Sequence, residues 1–280
     1  MDTRDTYLLE IERWHAARIA RLTAPDGWLS LAGLEWLHPG ANRVGSAPDN
    51  DIVLAKAPAR LGTVTWADDG TVSVALGGAA DATIDGARES HATLLDDSHA
   101  QPTVVTFGTM NFILIDRDGR KGLRVRDSVA ATRTGFAGIE RFPVDPGWRI
   151  VAEWIPLAPP FPLATMTVIG TIESHPAPGK AVFERDGRRC ELYPVLESPG
   201  DTQLFLVFAD ATSGRETYGA ARFLYADPPR DGRIVLDFNR AYNPPCAFTP
   251  FATCPLAPPE NRIGVRVEAG ERAYRGPGTH

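Results

Sequence analysis

The sequence has little lysine and little cysteine, and each scarcity excludes a class of protein. Only three of the 29 basic residues are lysine, and the formal net charge is −6. An acidic chain of this kind lacks the clustered basic face that nucleic-acid binding requires, so we expect no nucleic-acid partner. Three cysteines are an odd number, which fits a reducing compartment better than a disulfide scaffold.

Long apolar runs are also absent. No stretch reaches the roughly 20 apolar residues that a membrane-spanning helix requires, so we expect no membrane association. The first residues, MDTRDTYLLEIERWHAARIARL, carry charges throughout and contain no apolar core of a signal peptide. We therefore expect a cytoplasmic protein.

Familiar catalytic motifs are missing as well. The sequence contains no G-x-S-x-G nucleophile elbow, no G-x-x-x-x-G-K-[ST] phosphate loop and no H-E-x-x-H zinc helix. His175 and the terminal His280 are the only histidines of the second half, and ESHPAPG around His175 indicates a proline-rich turn. We therefore expect no cofactor or metal, and we expect acid–base work in that half to fall to Asp, Glu, Tyr or Cys.

What the sequence does contain is one amphipathic helix followed by many short β-type runs. Apolar residues at spacings of three and four predict a helix over 5–24, which the breakers APDG end. Between 41 and 127, short runs are separated by Gly and Asp, with Asp-Gly hairpin turns in TVTWADDGTVSVAL and NFILIDRDGRKGLRVRD. This spacing of strands and turns predicts a β-sandwich.

A second series of strand-like runs fills the rest of the chain, including FERDGRRCEL and RIGVRVEAGE. We predict a mainly β fold with an N-terminal helix and linker at 1–40, a β-sandwich at 41–127, and a second antiparallel β barrel or sandwich with a proline-rich loop at 128–280. The loop, 241–259, is apolar as well as proline-rich, so we expect a rigid, buried lid across one end of the second β unit.

Several segments resemble known families. The segments GWLSLAGLEWL, FADATSGRETYGAARFL, DFNRAYNPPCAFTPFATCPLAPPENR and AGERAY resemble the signature of an uncharacterised bacterial and archaeal family, the domain of unknown function 1684. That resemblance implies no activity. The region 41–127, with NRVGSAPDNDIVLAK and ATIDGA, is similar to a forkhead-associated β-sandwich, a module that binds phosphothreonine through an Arg after its first Gly. Here Ser46 follows Gly45, so the resemblance implies the scaffold without its phosphate-reading groups.

Polar residues of the second β unit form the candidate site. We expect Asp237 to act as base, Tyr218 or Tyr242 as proton donor, and Arg222 to bind an anionic group. The other residues predicted to bind the substrate are Asn239, Asn243, Ser213 and Asp210.

Two interpretations of this cluster are open. In one, Arg222 pairs with Asp237 and the asparagines cap turns, so the cluster is structural. In the other, the cluster lines a pocket, and the protein is a hydrolase- or lyase-like enzyme that binds a small polar or anionic metabolite. The alternative function is a non-catalytic small-molecule-binding or protein-interaction module, with a protein partner on the first β unit. Cys246 and Cys254 lack the spacing of a zinc or redox motif, and we expect buried thiols.

Overall fold

A computed structural model describes residues 3–78 and 81–278, and it shows a mainly β protein. The long helix α1 spans Thr3–Leu22, and a short helix α2 spans Ala131–Thr134. The chain forms two compact units, of which one is 23–135 and the other is built from the chain on either side of it. This division differs from the predicted one, because α1 belongs to the C-terminal unit and the linker after it belongs to the first β unit.

The first unit is a β-sandwich. Its strands are β1 (Leu31–Trp36), β2 (Gly40–Gly45), β3 (Ile52–Val53), β4 (Gly62–Trp66), β5 (Val72–Leu76), β6 (Ala82–Ile84), β7 (His91–Thr93), β8 (Val104–Phe107), β9 (Met110–Arg117) and β10 (Arg120–Asp127). They form two five-stranded sheets, with orders β1-β10-β9-β8-β6 and β3-β2-β4-β5-β7. Val64 and Val74 of one sheet share a buried core with Phe107 and Phe112 of the other.

The second unit contains a four-stranded and a two-stranded antiparallel sheet. Its strands are β11 (Arg149–Met166), β12 (Ile172–Arg185), β13 (Arg188–Leu192), β14 (Leu204–Phe208), β15 (Arg222–Ala226) and β16 (Arg233–Asp237). The sheet orders are β13-β12-β11-β16 and β14-β15. Both sheets contribute to one core, which includes Phe183 and Leu236 from the larger sheet and Leu206 and Leu224 from the smaller. The predicted mainly β fold is confirmed.

The predicted hairpins are present, and in TVTWADDGTVSVAL the strands β4 and β5 pair across the five-residue loop 67–71. Strands β9 and β10 pair across Asp118-Gly119, whose φ angles are 55° and 78°. Strands β12 and β13 pair across Asp186-Gly187, with φ angles of 51° and 68°. A positive φ is tolerated best by Gly and, among other residues, by Asp and Asn. This steric preference is why the dipeptide locates a two-residue hairpin in the sequence.

The prediction of a strand over RIGVRVEAGE is wrong, because its backbone groups divide between the residues after β14 and buried side chains. The Ile263 N–H donates to the Ala209 carbonyl, and the Val265 carbonyl accepts from the Ala211 N–H, each at 2.9 Å. Asp210 accepts a hydrogen bond from the Val267 backbone N–H at 2.7 Å. Arg222 donates to the carbonyl oxygens of Val267 at 3.0 Å and Ala269 at 2.5 Å. These bonds satisfy the backbone without a regular ladder.

The proline-rich segment 241–259 is packed, as its apolar composition predicts. Phe248 is fully buried and Cys254 is 5% exposed. The segment joins the end of β11, where the Val168 N–H donates to the Cys254 carbonyl at 2.9 Å and the Leu256 N–H donates to the Met166 carbonyl at 2.8 Å. It therefore closes the second unit beside the end of its longest strand. Within the described part of the chain, no helix is long and apolar enough to cross a membrane.

Candidate functional site

The residues expected to form the site divide among separate hydrogen-bond networks. Arg222 is fully buried, and its Nη2 lies 3.2 Å from Oδ1 of Asp210, which is also shielded from solvent. The same guanidinium donates to the carbonyls of Val267 and Ala269. Ser213 is the third predicted residue of this network, and its hydroxyl lies 3.4 Å from Asp210 Oδ1. Burial lowers the pKa of Arg222, and the Asp210 carboxylate opposes that shift.

Asp237 lies in a second network, and its predicted pairing with Arg222 is wrong. Its Oδ1 accepts a hydrogen bond from the Tyr7 hydroxyl of α1 at 2.8 Å and from the Asn239 backbone N–H at 3.3 Å. Its Oδ2 lies 3.4 Å from Nε of Arg240. Burial, and then the hydrogen bond to the carboxylate, raise the pKa of Tyr7. The structure thus brings Asp237 and Asn239 together, with Asn239 in the turn that follows β16.

The remaining predicted residues have other partners. Tyr218 donates its hydroxyl to the Cys246 carbonyl at 3.1 Å. Tyr242 packs beneath the Arg18 guanidinium, whose carbon lies 4.7 Å from the ring centroid. Asn243 donates its backbone N–H to the buried carboxylate of Glu271 at 2.7 Å. Their roles as proton donors or substrate ligands stay predictions.

A cavity of about 120 Å³ lies elsewhere in the second unit, among residues that sequence reasoning did not select. Side chains of one sheet face build it, since Leu163 pairs with His175 and Thr165 with Glu173 across β11 and β12. The full lining is Leu163, Thr165, Glu173, His175, Tyr193, Val195, Glu197, Phe205, Val207, Phe223, Pro255 and Asn261.

The floor of the cavity is apolar and buried. Leu163 is 3% exposed, and Val195, Phe205 and Phe223 are each 6% exposed. Asn261 is buried beside them, but its side chain is held by the backbone of residue 193, from which it accepts a hydrogen bond at 2.7 Å. An apolar concave surface of this kind holds the apolar part of a small ligand.

Titratable groups gather at the rim. His175 Nε2 lies 3.7 Å from Oε2 of Glu173, and Glu197 accepts a hydrogen bond from the Tyr225 hydroxyl at 2.8 Å. The Glu173 carboxylate raises the pKa of His175 because it stabilises the imidazolium. Burial raises the pKa of Glu197, while the bond from Tyr225 lowers it. Both shifts favour the protonated form of the group.

The interpretation of ESHPAPG as a turn is wrong, and this is why the rim was missed. His175 lies within β12, where alternation places it on the same face as Glu173. The Y-x-V-x-E spacing of Tyr193, Val195 and Glu197 has the same period of two. Both signals are visible in the sequence, but only the fold brings the two segments to one cavity. Among the residues that the structure describes, no cluster of three His, Cys, Asp or Glu side chains could hold a metal ion.

One protein-family model matches about half of the chain. The model, described as a protein of unknown function (DUF1684), matches residues 134–272. All residues that line the 120 Å³ cavity fall within this range. No curated protein matches the chain.

Solved structures give two kinds of relative. An uncharacterized protein of Haloarcula marismortui is 30% identical, and the match covers 49% of this chain and 77% of that one with a TM-score of 0.42. The FHA-2 domain of the Mycobacterium tuberculosis ABC transporter Rv1747 is 32% identical, with 31% of this chain and 77% of that one covered at a TM-score of 0.24. The FHA domain of the Chlamydia trachomatis CT664 protein is 21% identical, and the match covers 34% of this chain and 94% of that one with a TM-score of 0.24. The predicted resemblance to a forkhead-associated segment is therefore confirmed.

Proposed function

The chain belongs to the DUF1684 family through residues 134–272, and we propose that this region is a hydrolase- or lyase-like enzyme acting on a small polar molecule in the 120 Å³ cavity. One observation carries the proposal. The Glu173–His175 pair and the Glu197 carboxyl meet at the rim of a pocket whose floor is apolar. Apolar pockets with a few convergent titratable groups are the usual form of a small-molecule active site.

The roles follow from the charge states of the three groups. His175, held towards its protonated form by Glu173, is the proton donor. Glu197, whose pKa is raised by burial, is the group that accepts a proton from the substrate or from water. Tyr225 orients Glu197 through its hydroxyl. The floor binds the apolar part of the substrate at roughly 25 cal/mol per Å² of apolar surface removed from water.

Ligand screening and rim variants test this proposal together. A metabolite library is screened for compounds that raise the melting temperature. A ligand at 100 times its dissociation constant stabilises a protein by about 2.7 kcal/mol, so binding is detected as a rise in that temperature. We expect the hits to be chemically altered by the wild type, and turnover to fall by about 100-fold or more in His175→Gln and Glu197→Gln. His99→Gln is the matched control, since His99 forms an exposed pair with Asp96 at 3.1 Å in the first β unit.

The outcomes separate this function from its rivals. Hits that bind the cavity but are never altered would make the protein a small-molecule-binding module. Turnover that survives both rim variants and is lost in Asp237→Asn would return catalysis to the predicted Asp237. Turnover that falls equally in His99→Gln would show that the loss is not specific to the rim.

A second candidate function, a protein partner on the first β unit, is favoured by its similarity to forkhead-associated domains. The arginines nearest the Gly45 turn are already neutralised, since Arg43 Nε lies 3.0 Å from Asp51 Oδ2 and Arg60 pairs with Asp49. We therefore propose a partner that is not phosphorylated. Partner capture with the wild type and two variants tests this function. A variant that lacks residues 23–135 should lose the partner, whereas Glu197→Gln should retain it.

The three free thiols favour a cytoplasmic location.

A further inference from the structure

A second cavity, of about 360 Å³, continues the first along one face of the β14-β15 sheet. Phe205 pairs with Tyr225, and Val207 pairs with Phe223. Since alternate residues of a strand share a face, these four side chains lie in one row of pairs. Phe205, Val207 and Phe223 line the first cavity, whereas Tyr225 lines the second together with Gln203. The two cavities are therefore successive along the same sheet face.

Tyr225 stands at the junction of the two cavities. Its hydroxyl donates to Glu197 at the rim of the first cavity. Its ring packs on Phe205, with centroids 4.9 Å apart, and stacks on Tyr242 at 6.4 Å. A ligand that extends past Tyr225 would thus reach from the apolar floor into the second cavity.

The second cavity is rich in arginine. Arg149, Arg230 and Arg233 line it, and among the described residues no hydrogen bond or ion pair engages their guanidinium groups. A fourth lining residue, Arg240, is instead neutralised by Glu10 and Asp237. All three are exposed at the cavity wall. The four lining arginines outnumber the three lining carboxylates, Glu10, Asp227 and Asp237, so one bound anionic charge balances the lining.

Strand register shows how the arginines can share a ligand. Arg149 pairs with Asp237, and Arg233 pairs with Glu153, across β11 and β16. Arg149 and Arg233 therefore stand on one face at either end of Val235, about 13 Å apart along the strands. Asp237 and Glu153 lie beside them on the same face, and the two long arginine side chains can still reach one oxyanion over Val235.

We propose that the second cavity is an oxyanion-binding subsite, in which Arg149, Arg230 and Arg233 bind a carboxylate or phosphate group. The subsite adjoins the first cavity and, if that cavity is the proposed active site, it defines the class of substrate. The substrate has an apolar body on the floor formed by Leu163 and Phe223 and an anionic group past Tyr225. Oxyanion binding itself does not depend on catalysis.

Titration of the whole protein with inorganic phosphate, and separately with malonate, tests the subsite at constant ionic strength. We expect saturable changes in the arginine Nε–H signals of nuclear magnetic resonance spectra. Arg149→Gln and Arg233→Gln should each weaken binding about tenfold, since a charge-assisted hydrogen bond is lost. Arg88→Gln, an exposed arginine of the first β unit, should leave binding unchanged. Preference for phosphate or for malonate identifies the anionic group of the substrate.

Three results would overturn the subsite. These are chloride alone producing the same spectral changes, Arg88→Gln weakening binding as much as the two cavity variants, or neither anion binding. The Glu197→Gln variant distinguishes a failure of the anion subsite from a failure of the proposed enzymatic function. It should bind phosphate and malonate as the wild type does, even though its turnover is lost. Saturable anion binding without any turnover would leave the subsite in place and remove the enzyme.

Discussion

Arg222 and Asp210 form an ion pair in which neither side chain is exposed to solvent, with Nη2 and Oδ1 3.2 Å apart. The pair also binds the backbone of Val267 from both sides, because Asp210 accepts its N–H and Arg222 donates to its carbonyl. The pair thus takes the place of strand hydrogen bonds at Val267. An arginine that looks functional in the sequence has structural partners for most of its donors.

Removing one member of this pair should destabilise the protein strongly. In Arg222→Met the Asp210 carboxylate stays buried without its cation, at a cost of about 3–5 kcal/mol. Urea unfolding of the second unit measures the loss. Arg215→Gln, which changes an exposed arginine of the same loop, is the control and should cost less than about 0.5 kcal/mol. A loss in Arg222→Met no greater than in the control would contradict a structural role.

Tyr7 anchors α1 to the second unit through its hydrogen bond to Asp237. Tyr7→Phe should cost about 1–3 kcal/mol, because a largely buried carboxylate loses a donor. The measurement is the unfolding free energy, with Arg13→Gln on the exposed side of the helix as control. Hydrogen exchange should rise in α1 of Tyr7→Phe. Equal exchange in the variant and the wild type would mean that the bond does not hold the helix.

His175 should titrate above its ordinary pKa of about 6.5, because Glu173 stabilises its charged form. A pKa raised in the folded state contributes stability that is fully present below the unfolded pKa and is lost as pH rises through the folded value. The stability difference between wild type and His175→Gln should therefore be largest below the ordinary pKa of about 6.5 and should decline as pH rises through the raised pKa, reaching at most about 1 kcal/mol for this partly exposed pair. In Glu173→Gln the imidazole signals should titrate at lower pH, and an unchanged midpoint would refute the pairing.

Cys246 should react faster than Cys190. Its hydrogen bond with the Cys254 thiol lowers its pKa, whereas burial raises the pKa of Cys190. Because the thiolate is the nucleophile, iodoacetamide near pH 7.5 should label Cys246 several-fold faster than Cys190. Mass spectrometry of the peptides measures the rates. Cys254→Ser should slow labelling at Cys246, and the opposite order of labelling would be incompatible with the hydrogen bond.

Local chemistry made several features readable in the sequence. The Asp-Gly turns at 118–119 and 186–187 require a positive φ, so they locate their hairpins before any packing is known. The apolar and proline-rich composition of 241–259 predicts its burial, because exposing it would be costly. The predicted pairing of Arg222 with Asp237 had no such local basis. Asp210 is twelve residues before Arg222 and satisfies the same electrostatic requirement.

The β architecture, the helix, the hairpins and the packed proline-rich segment can all be predicted from the sequence, since each follows from short-range sterics, periodicity or composition. Which polar residues meet depends on the tertiary fold. Glu173, His175 and Glu197 share a rim because β12 and the segment after β13 fold towards one cavity. Arg149 and Arg230, far apart in the chain, line the next cavity for the same reason. Charge and hydrogen-bond preferences are satisfied by many partners, and long-range strand pairing selects among them.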